Sequence, residues 1–386
     1  MILGIDLRCL ESRFLTGVGE YTLNVILNLL KNYPNLKIIG YTNKAKATLI
    51  PAELKNKIEL IHTRYPNKIK NLLYTLRLGR GLDEEFIKAG FRPDIIWLPA
   101  PAFIKFHGKI PAVVTIHDLS FVHFPKYFPL KGRFWYYPYL RRQLTNGLYD
   151  FTKIIAVTNH TKNDLVDTYP KLKNKVEAVI PGLSKIYSTS KTPTEISAVK
   201  NKYHLPNQYL LTLGTIEPRK NYLLIFEAIK DLRTKFNYNL DLVVAGTWGW
   251  CYGEIKLWLK NNPDIAKHIH ITGFIDGVDK PALYQGAKIF LFPSFYEGIG
   301  MPPMESAASG VPVITTSTSS LPEVIGDGGL MVSPYHKEMW VSAIKYLLDN
   351  DEARAKLSAA GQLQMKKFSW DKTASEYYKI FSNLTK

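Results

Sequence analysis

The stretch Ile289-Phe290-Leu291-Phe292-Pro293-Ser294-Phe295-Tyr296-Glu297-Gly298-Ile299-Gly300-Met301-Pro302-Pro303-Met304-Glu305 reads as strand, loop and helix start. Four apolar residues without alternation form a strand covered on both faces, as in a parallel sheet. Pro302 and Pro303 suit a first helical turn, where a missing N–H has no partner to lose. Gly298 and Gly300 let the backbone approach a ligand closely. The N–H groups from Gly298 through Ile299 and Gly300 to Met301 are expected to converge on one point, where an anion is favoured. Glu305 lies a turn inside the helix, where it can accept from both hydroxyls of a ribose. Glu297 lies in the loop, where it can hold sugar hydroxyls. With one acid on a loop and the other on a helix, an acid–base pair of the hydrolase kind is not expected.

Upstream, Gly214-Thr215-Ile216-Glu217-Pro218-Arg219-Lys220-Asn221 ends another strand-like run. Arg219 and Lys220 precede a helix predicted from about Asn221 to Lys235. The helix dipole disfavours cations there, and an anionic ligand would offset that cost. His117 ends the run Val113–Ile116, at the carboxyl edge of a parallel sheet, where ligands bind in such folds.

Short apolar runs alternate with helical periodicity along the chain. Strands are expected at 2–7, 37–41, 58–62, 94–98, 112–116, 153–157 and 176–180. A second series falls at 209–214, 240–245, 269–272, 289–292, 311–315 and 329–332. Such alternation builds parallel sheets through right-handed crossovers. Residues 183–195 are rich in Ser, Thr and Lys and read as a linker between two domains. The 386 residues are enough for two cores.

The formal charge is +17, and +14 of it falls within residues 1–190. That half favours anionic partners such as lipid head groups or polyprenyl phosphates. Phe124–Arg142 mixes aromatic rings with cations, and Lys55–Arg80 is a second basic stretch. No apolar run approaches the roughly 20 residues of a membrane helix. Met1–Leu7 reads as a strand, with no basic region followed by a long apolar run, so a secretory leader is not expected. Two cysteines, Cys9 and Cys251, fit a reducing cytosol. Asp349-Asn350-Asp351 flanks no strand end and reads as a helix cap; no His/Cys cluster has metal-ligand spacing, so no metal is expected.

Taken together, these segments resemble the family 4 retaining glycosyltransferases of the GT-B fold, in their mannosyl- and rhamnosyltransferase-like branch. The resemblance covers nearly the whole chain. It rests on Gly17-Val18-Gly19-Glu20-Tyr21, Thr115-Ile116-His117-Asp118-Leu119, Pro218-Arg219-Lys220-Asn221, Ala245-Gly246, the Glu297–Glu305 segment, Leu321-Pro322-Glu323 and Phe368-Ser369-Trp370. It implies an α/β architecture of two Rossmann-like domains facing across a cleft. Residues 1–183 would bind acceptor and 195–366 the nucleotide sugar, with a last helix, about 369–386, packing back on the first domain. Arg219 and Lys220 would hold the diphosphate, Glu305 the ribose and Glu297 the transferred sugar. Gly17 and Gly19 would line the cleft, and His117 would face the donor sugar. Gly298, Ile299, Gly300 and Met301 would complete the donor site. Two departures stand out: Thr215 replaces an arginine common in relatives, and Ile299, Met301 and Ser306 alter the pocket wall.

The implied reaction moves a hexosyl group, mannose-like by preference, from a GDP- or UDP-type nucleotide sugar to an acceptor hydroxyl, with retention. The acceptor is a glycan or lipid-linked sugar in cell-surface synthesis. The expected location is cytoplasmic, peripheral on the inner face of the cytoplasmic membrane, with no nucleic acid partner and no cofactor beyond the donor. The alternatives are a sugar-nucleotide epimerase of related fold and a non-catalytic protein binding anionic membrane or nucleic acid. Product analysis separates the epimerase, and absence of nucleotide release the binder. The basic half generates a first prediction. The protein should co-sediment with phosphatidylglycerol-containing vesicles at low salt and be released at high salt. Each Lys or Arg near an anionic surface contributes about 1 kcal/mol, decaying over about 8 Å. Equal sedimentation with neutral vesicles at low salt would reject the membrane contact.

Overall fold

The computed structural model describes residues 1–12, 15–43, 49–63, 80–101, 106–130 and 151–385. Two compact units emerge. One comprises Met1–Val122, Lys131–Gly182 and Ser369–Lys386; the other comprises His123–Leu130 and Leu183–Phe368.

The first unit is built on a parallel sheet of seven strands: β1 (Ile2–Asp6), β2 (Lys37–Asn43), β3 (Glu59–Thr63), β4 (Ile95–Leu98), β5 (Ala112–Ile116), β6 (Lys153–Ala156) and β7 (Val176–Ala178), in the order β3-β2-β1-β4-β5-β6-β7. Its strands are nearly all buried, so their apolar runs need no alternation. The chain order reverses between β1 and β4, which makes the carboxyl ends of these strands the natural place for a ligand.

The last helix, Trp370–Leu384, completes this unit by packing on the helix Gly17–Asn32. Gly182 permits the approach: a Cβ there would stand 2.0 Å from the backbone nitrogen of Trp370. Tyr377 then reaches the core, where its hydroxyl bonds to that of Tyr21 and, at 2.7 Å, to Oγ1 of Thr115. Trp97 Nε1 donates to the same Thr115 oxygen at 3.0 Å.

The second unit carries six parallel strands: β8 (Tyr209–Leu213), β9 (Asp241–Ala245), β10 (Ile269–Gly273), β11 (Ile289–Phe292), β12 (Val313–Thr316) and β13 (Gly329–Val332), in the order β10-β9-β8-β11-β12-β13. Successive side chains take opposite faces. Leu211, Val243, Phe290 and Val313 enter one core, and Leu210, Val244, Leu291 and Ile314 the other. The order reverses between β8 and β11, the strands that precede the two quoted segments.

The expected strands are all present, with ends displaced by at most two residues. Two expectations change and one is met. The stretch read as a linker already contains a 3-10 turn at Lys185–Ser188 and a helix from Pro193. Thr192 and Glu195 form its capping box, a signal that the Ser/Thr-rich composition hid. The aromatic–basic segment divides. Its described part clusters with the second unit, where Tyr127 stacks on Phe295, Phe128 on Trp250, and Phe124 meets Tyr296. Phe128 is buried and Phe124 and Tyr127 are half-buried in these contacts. Lys131, Arg133, Arg141 and Arg142, and residues 64–79 of the other basic stretch, lie outside the described residues. Finally, Asn350 accepts from the backbone of Ala353 at 2.8 Å as a helix cap, while Asp349 accepts from the Tyr238 hydroxyl at 2.6 Å.

Tyr377→Phe should destabilise the protein by about 1–3 kcal/mol, because buried hydroxyls of Tyr21 and Thr115 lose a partner. Urea unfolding measures this; a change below about 0.5 kcal/mol, the scale of an ordinary surface substitution, would show that the network contributes little.

Candidate functional site

The carboxyl end of β8 leads through Gly214–Ile216 to Glu217, which caps a 3-10 turn, Pro218–Lys220. Asn221 then turns left-handed, with φ +56°, before the helix Tyr222–Phe236. Asparagine tolerates that conformation better than other side-chain-bearing residues. Its amide also donates to the carbonyls of Pro293 at 3.2 Å and Pro334 at 2.9 Å. The Phe295 N–H donates to the Arg219 carbonyl at 3.0 Å. The turn after β8 and the loop after β11 are thereby fastened side by side.

Three expected residues meet at one atom. Arg219 Nη1 lies 3.0 Å and Lys220 Nζ 2.6 Å from Oε1 of Glu297. Arg219 Nη1 also donates to the Tyr296 carbonyl at 2.6 Å, and Nη2 to Glu217 Oε1 at 2.7 Å. Lys220 Nζ sits 4.8 Å from the centre of the Phe292 ring. Glu297 is held at both backbone ends: its N–H donates to Ser319 Oγ, and its carbonyl accepts from Ser320 Oγ, each at 2.9 Å. Glu217 and Glu297 are 1% and 7% exposed, so both acids are effectively out of solvent. The sequence reading left the offset of these cations to a ligand. Here two buried carboxylates provide it.

Burial acts differently on each member. It pushes the Glu217 carboxyl above its ordinary value, with Arg219 and Lys220 opposing. It lowers the Lys220 ammonium, with Glu297 opposing. At Glu297 burial also works against ionisation, but Arg219 and Lys220 outweigh it and hold the carboxyl down at about 2.

Gly300 has φ +80°, and a Cβ there would come within 2.5 Å of Leu321 Cδ2. Only glycine fits easily there, at the cap of the helix Met301–Ala308, whose first turn holds Pro302 and Pro303. Ile299 and Met301 are half-buried and pack against the core. Glu305 is 3% exposed. Its Oε2 accepts from the Tyr284 hydroxyl at 2.8 Å, and Lys280 Nζ lies 3.9 Å from Oε1.

His117, Gly17 and Gly19 belong to the first unit. His117 Nε2 lies 2.8 Å from the Pro99 carbonyl, which can only accept, so Nε2 carries the proton and Nδ1 is the acceptor. Burial holds this imidazole below its ordinary value, with the Pro99 carbonyl opposing, so it is neutral at pH 7. Its ring meets Tyr21 edge-on at 5.0 Å. Gly17 opens the helix bearing Tyr21, and open space surrounds the position of a Cβ. Gly19 is buried, and a Cβ would crowd Leu15 at 3.1 Å.

Sequence reasoning passed over Glu217, Lys280 and Tyr284. Glu217 stood inside the quoted run, two residues before Arg219, and its charge was the available signal. Lys280 and Tyr284 lie on the short helix before β11, and nothing local marks them. Among the described residues no group of three or more His, Cys, Asp or Glu is placed to hold a metal, and no helix is long and apolar enough to cross a membrane.

The paired parallel sheets, each with its order reversed at the second and first halves' opening strands, define the GT-B class of fold. Residues 15–184 match the family model for Glycosyltransferase Family 4, and residues 194–364 that for Glycosyl transferases group 1. The O-antigen chain mannosyltransferase B of Escherichia coli is 32% identical over 94% of both chains. With these matches, the chain belongs to the family 4, group 1 glycosyltransferases. A serotype-specific mannosyltransferase, WbdA of Escherichia coli, is 28% identical over 74% of this chain and 36% of its own. A solved glycosyltransferase from Rickettsia africae ESF-5 aligns over 100% of this chain and 98% of its own, with a TM-score of 0.73 and 19% identity. Group 1 enzymes use nucleotide-sugar donors.

Acid should probe the cation cluster. Glu297 is ionised in the folded state down to about 2, against an ordinary value of 4.5. Its stabilising contribution is complete above pH 4.5 and is lost as pH falls toward 2. Glu297→Gln should lose about 3 kcal/mol at pH 7, since it takes the carboxylate from half-buried Lys220 and leaves Arg219 with Glu217 alone as counter-charge, and should show a flatter decline between pH 4.5 and 2. Urea unfolding at several pH values reads both effects. Equal slopes in the two proteins would place the ion pairs outside the stability of the fold.

Proposed function

We propose that this glycosyltransferase moves a mannose-like hexosyl group from a GDP- or UDP-linked donor to an acceptor hydroxyl during cell-surface glycan synthesis, with retention of anomeric configuration. The observation that carries the site assignment is the convergence of Arg219 Nη1 and Lys220 Nζ on one carboxylate oxygen. Two cations aimed at a single anionic oxygen form a seat that a phosphate oxygen fits equally well. The choice of mannose and of a surface glycan is supported by the name of the O-antigen relative aligned along almost the full chain.

In this reading the second unit holds the donor and the first the acceptor. Arg219 and Lys220 take the diphosphate. Glu305 accepts from the ribose hydroxyls through the carboxylate that Tyr284 steadies. Glu297, once phosphate replaces it at the seat, accepts from hydroxyls of the sugar. His117 faces the donor sugar as a neutral imidazole. The acceptor oxygen bonds to the anomeric carbon on the face the diphosphate leaves. The glycosidic C–O electrons depart with the diphosphate, and a phosphate oxygen takes the acceptor's proton. Retention then needs no protein nucleophile. Catalysis comes from positioning and from charge stabilisation on the leaving group. The two cations supply that charge, so activity is expected to survive EDTA; full inhibition reversed by magnesium or manganese would reject this part. An acceptor-linked sugar in the inner leaflet would place the enzyme at the cytoplasmic membrane surface.

Glu305→Ala should weaken GDP or UDP binding by roughly 2–4 kcal/mol, through lost charge-assisted hydrogen bonds to two hydroxyls. Calorimetry on folded protein measures it. Wild-type affinity in the variant would remove Glu305 from the donor site.

A further inference from the structure

Arg219 is gripped on two edges. Nη1 faces the loop after β11, where it meets the Tyr296 carbonyl and Glu297 Oε1. Nη2, the other terminal nitrogen, donates to Glu217 Oε1 at 2.7 Å. The two contacts differ in permanence. The Glu297 carboxylate occupies the seat itself, so a phosphate oxygen arriving there competes with it, while the Glu297 backbone stays held by Ser319 and Ser320. Glu217 is fixed by the backbone: it caps the turn Pro218–Lys220, its carbonyl accepts from the Lys220 N–H at 3.2 Å, and the chain leaves β8 only a few residues earlier. Its other oxygen, Oε2, is buried without a hydrogen-bond partner. Such a group weakens a fold. Oε1 is therefore the working oxygen of this carboxylate, and an apolar residue in its place would leave the Nη2 edge of Arg219 unpaired.

We propose that Glu217 is a positioning residue: it holds the Arg219 guanidinium from behind, so that its Nη1 edge stays aimed at the seat when Glu297 is displaced. Glu217 itself touches no substrate. The arginine side chain has several rotatable bonds and, without a rear anchor, would follow whichever carboxylate is nearest. The proposal rests on the reading of Arg219 as a diphosphate ligand.

Calorimetry with GDP, UDP, GMP and UMP on the full chain tests it. Arg219→Ala should weaken diphosphate binding by about tenfold or more. Glu217→Ala should weaken it by about tenfold, with monophosphate affinity within about twofold of wild type. Glu217→Gln keeps an acceptor oxygen in place and should retain diphosphate affinity within about threefold. The double variant Arg219→Ala/Glu217→Ala should bind no more weakly than Arg219→Ala, because Glu217 acts only through Arg219. If Glu217→Ala does not fold, Glu217→Asp, which withdraws the carboxylate by one methylene, takes its place with the same expectation. Additive losses in the double variant, or equal losses for mono- and diphosphates, would overturn the positioning role. So would wild-type diphosphate affinity in Glu217→Ala beside a weakened Arg219→Ala. Wild-type affinity in Arg219→Ala would instead overturn the underlying assignment of the seat.

Discussion

A buried charge must find its counter-charge within a few ångströms, and the second unit is arranged around that requirement. Arg219 and Lys220 cannot sit at the end of a strand, out of solvent, without acids of equal number. Glu217 and Glu297 meet the need at distances of 2.6 to 3.0 Å. The cluster is neutral as it stands. In the proposed reading, an incoming diphosphate finds the cations already desolvated and oriented. The cost of stripping their water was met when the chain folded. What the ligand must do is replace one carboxylate oxygen with a phosphate oxygen of similar size and charge.

Topology makes the cluster possible. Arg219 and Glu297 are far apart in sequence, yet β8 and β11 are hydrogen-bonded neighbours. The sheet order reverses between these two strands, so the loops leaving them run to opposite faces and open a crevice. Asn221 and the Phe295–Arg219 backbone bond close the gap between the two segments. Mobility in either loop would let the two cations part from Glu297. The fastening explains why an asparagine in left-handed conformation follows Lys220, where the helix would otherwise start one residue earlier.

Most of this was legible in the sequence, for physical reasons that also mark the limits. Strands covered on both faces announce themselves as unbroken apolar runs, so Val113–Ile116 and Ile289–Phe292 were plain. Gly300 and Pro302 betray the loop-to-helix junction, since each is needed for backbone geometry alone. Glu217 was visible but unassigned, because its meaning depends on which way the Arg219 side chain turns. Tyr284 and Lys280 were invisible: they reach Glu305 only after the helix Lys280–Gln285 is laid on the sheet. The aromatic partners of Phe124 and Tyr127 were not legible either: only the fold shows that these rings meet Tyr296 and Phe295. The crowding at Gly19 was hidden in the same way, because it depends on where the chain brings Leu15 and the Cys9 carbonyl.

A common construction links the acids and bases of the second unit. Three of the groups assigned to the ligand have others holding them: Glu217 bonds the Arg219 guanidinium, Tyr284 the Glu305 carboxylate, and Ser319 and Ser320 the backbone of Glu297. Transition-state stabilisation by fixed charges works only if the charges do not relax toward the ground state. Flexible side chains such as arginine and glutamate would relax unless anchored. The supporting groups therefore matter to the proposed chemistry as much as the groups that touch the donor. They also divide the evolutionary constraint differently, since a supporting residue can be exchanged for another that makes the same hydrogen bond. Ligand-facing cations have less freedom, because lysine and arginine present different donor geometries to phosphate. The paired arrangement thus separates where the site must stay chemically fixed from where it need only stay rigid.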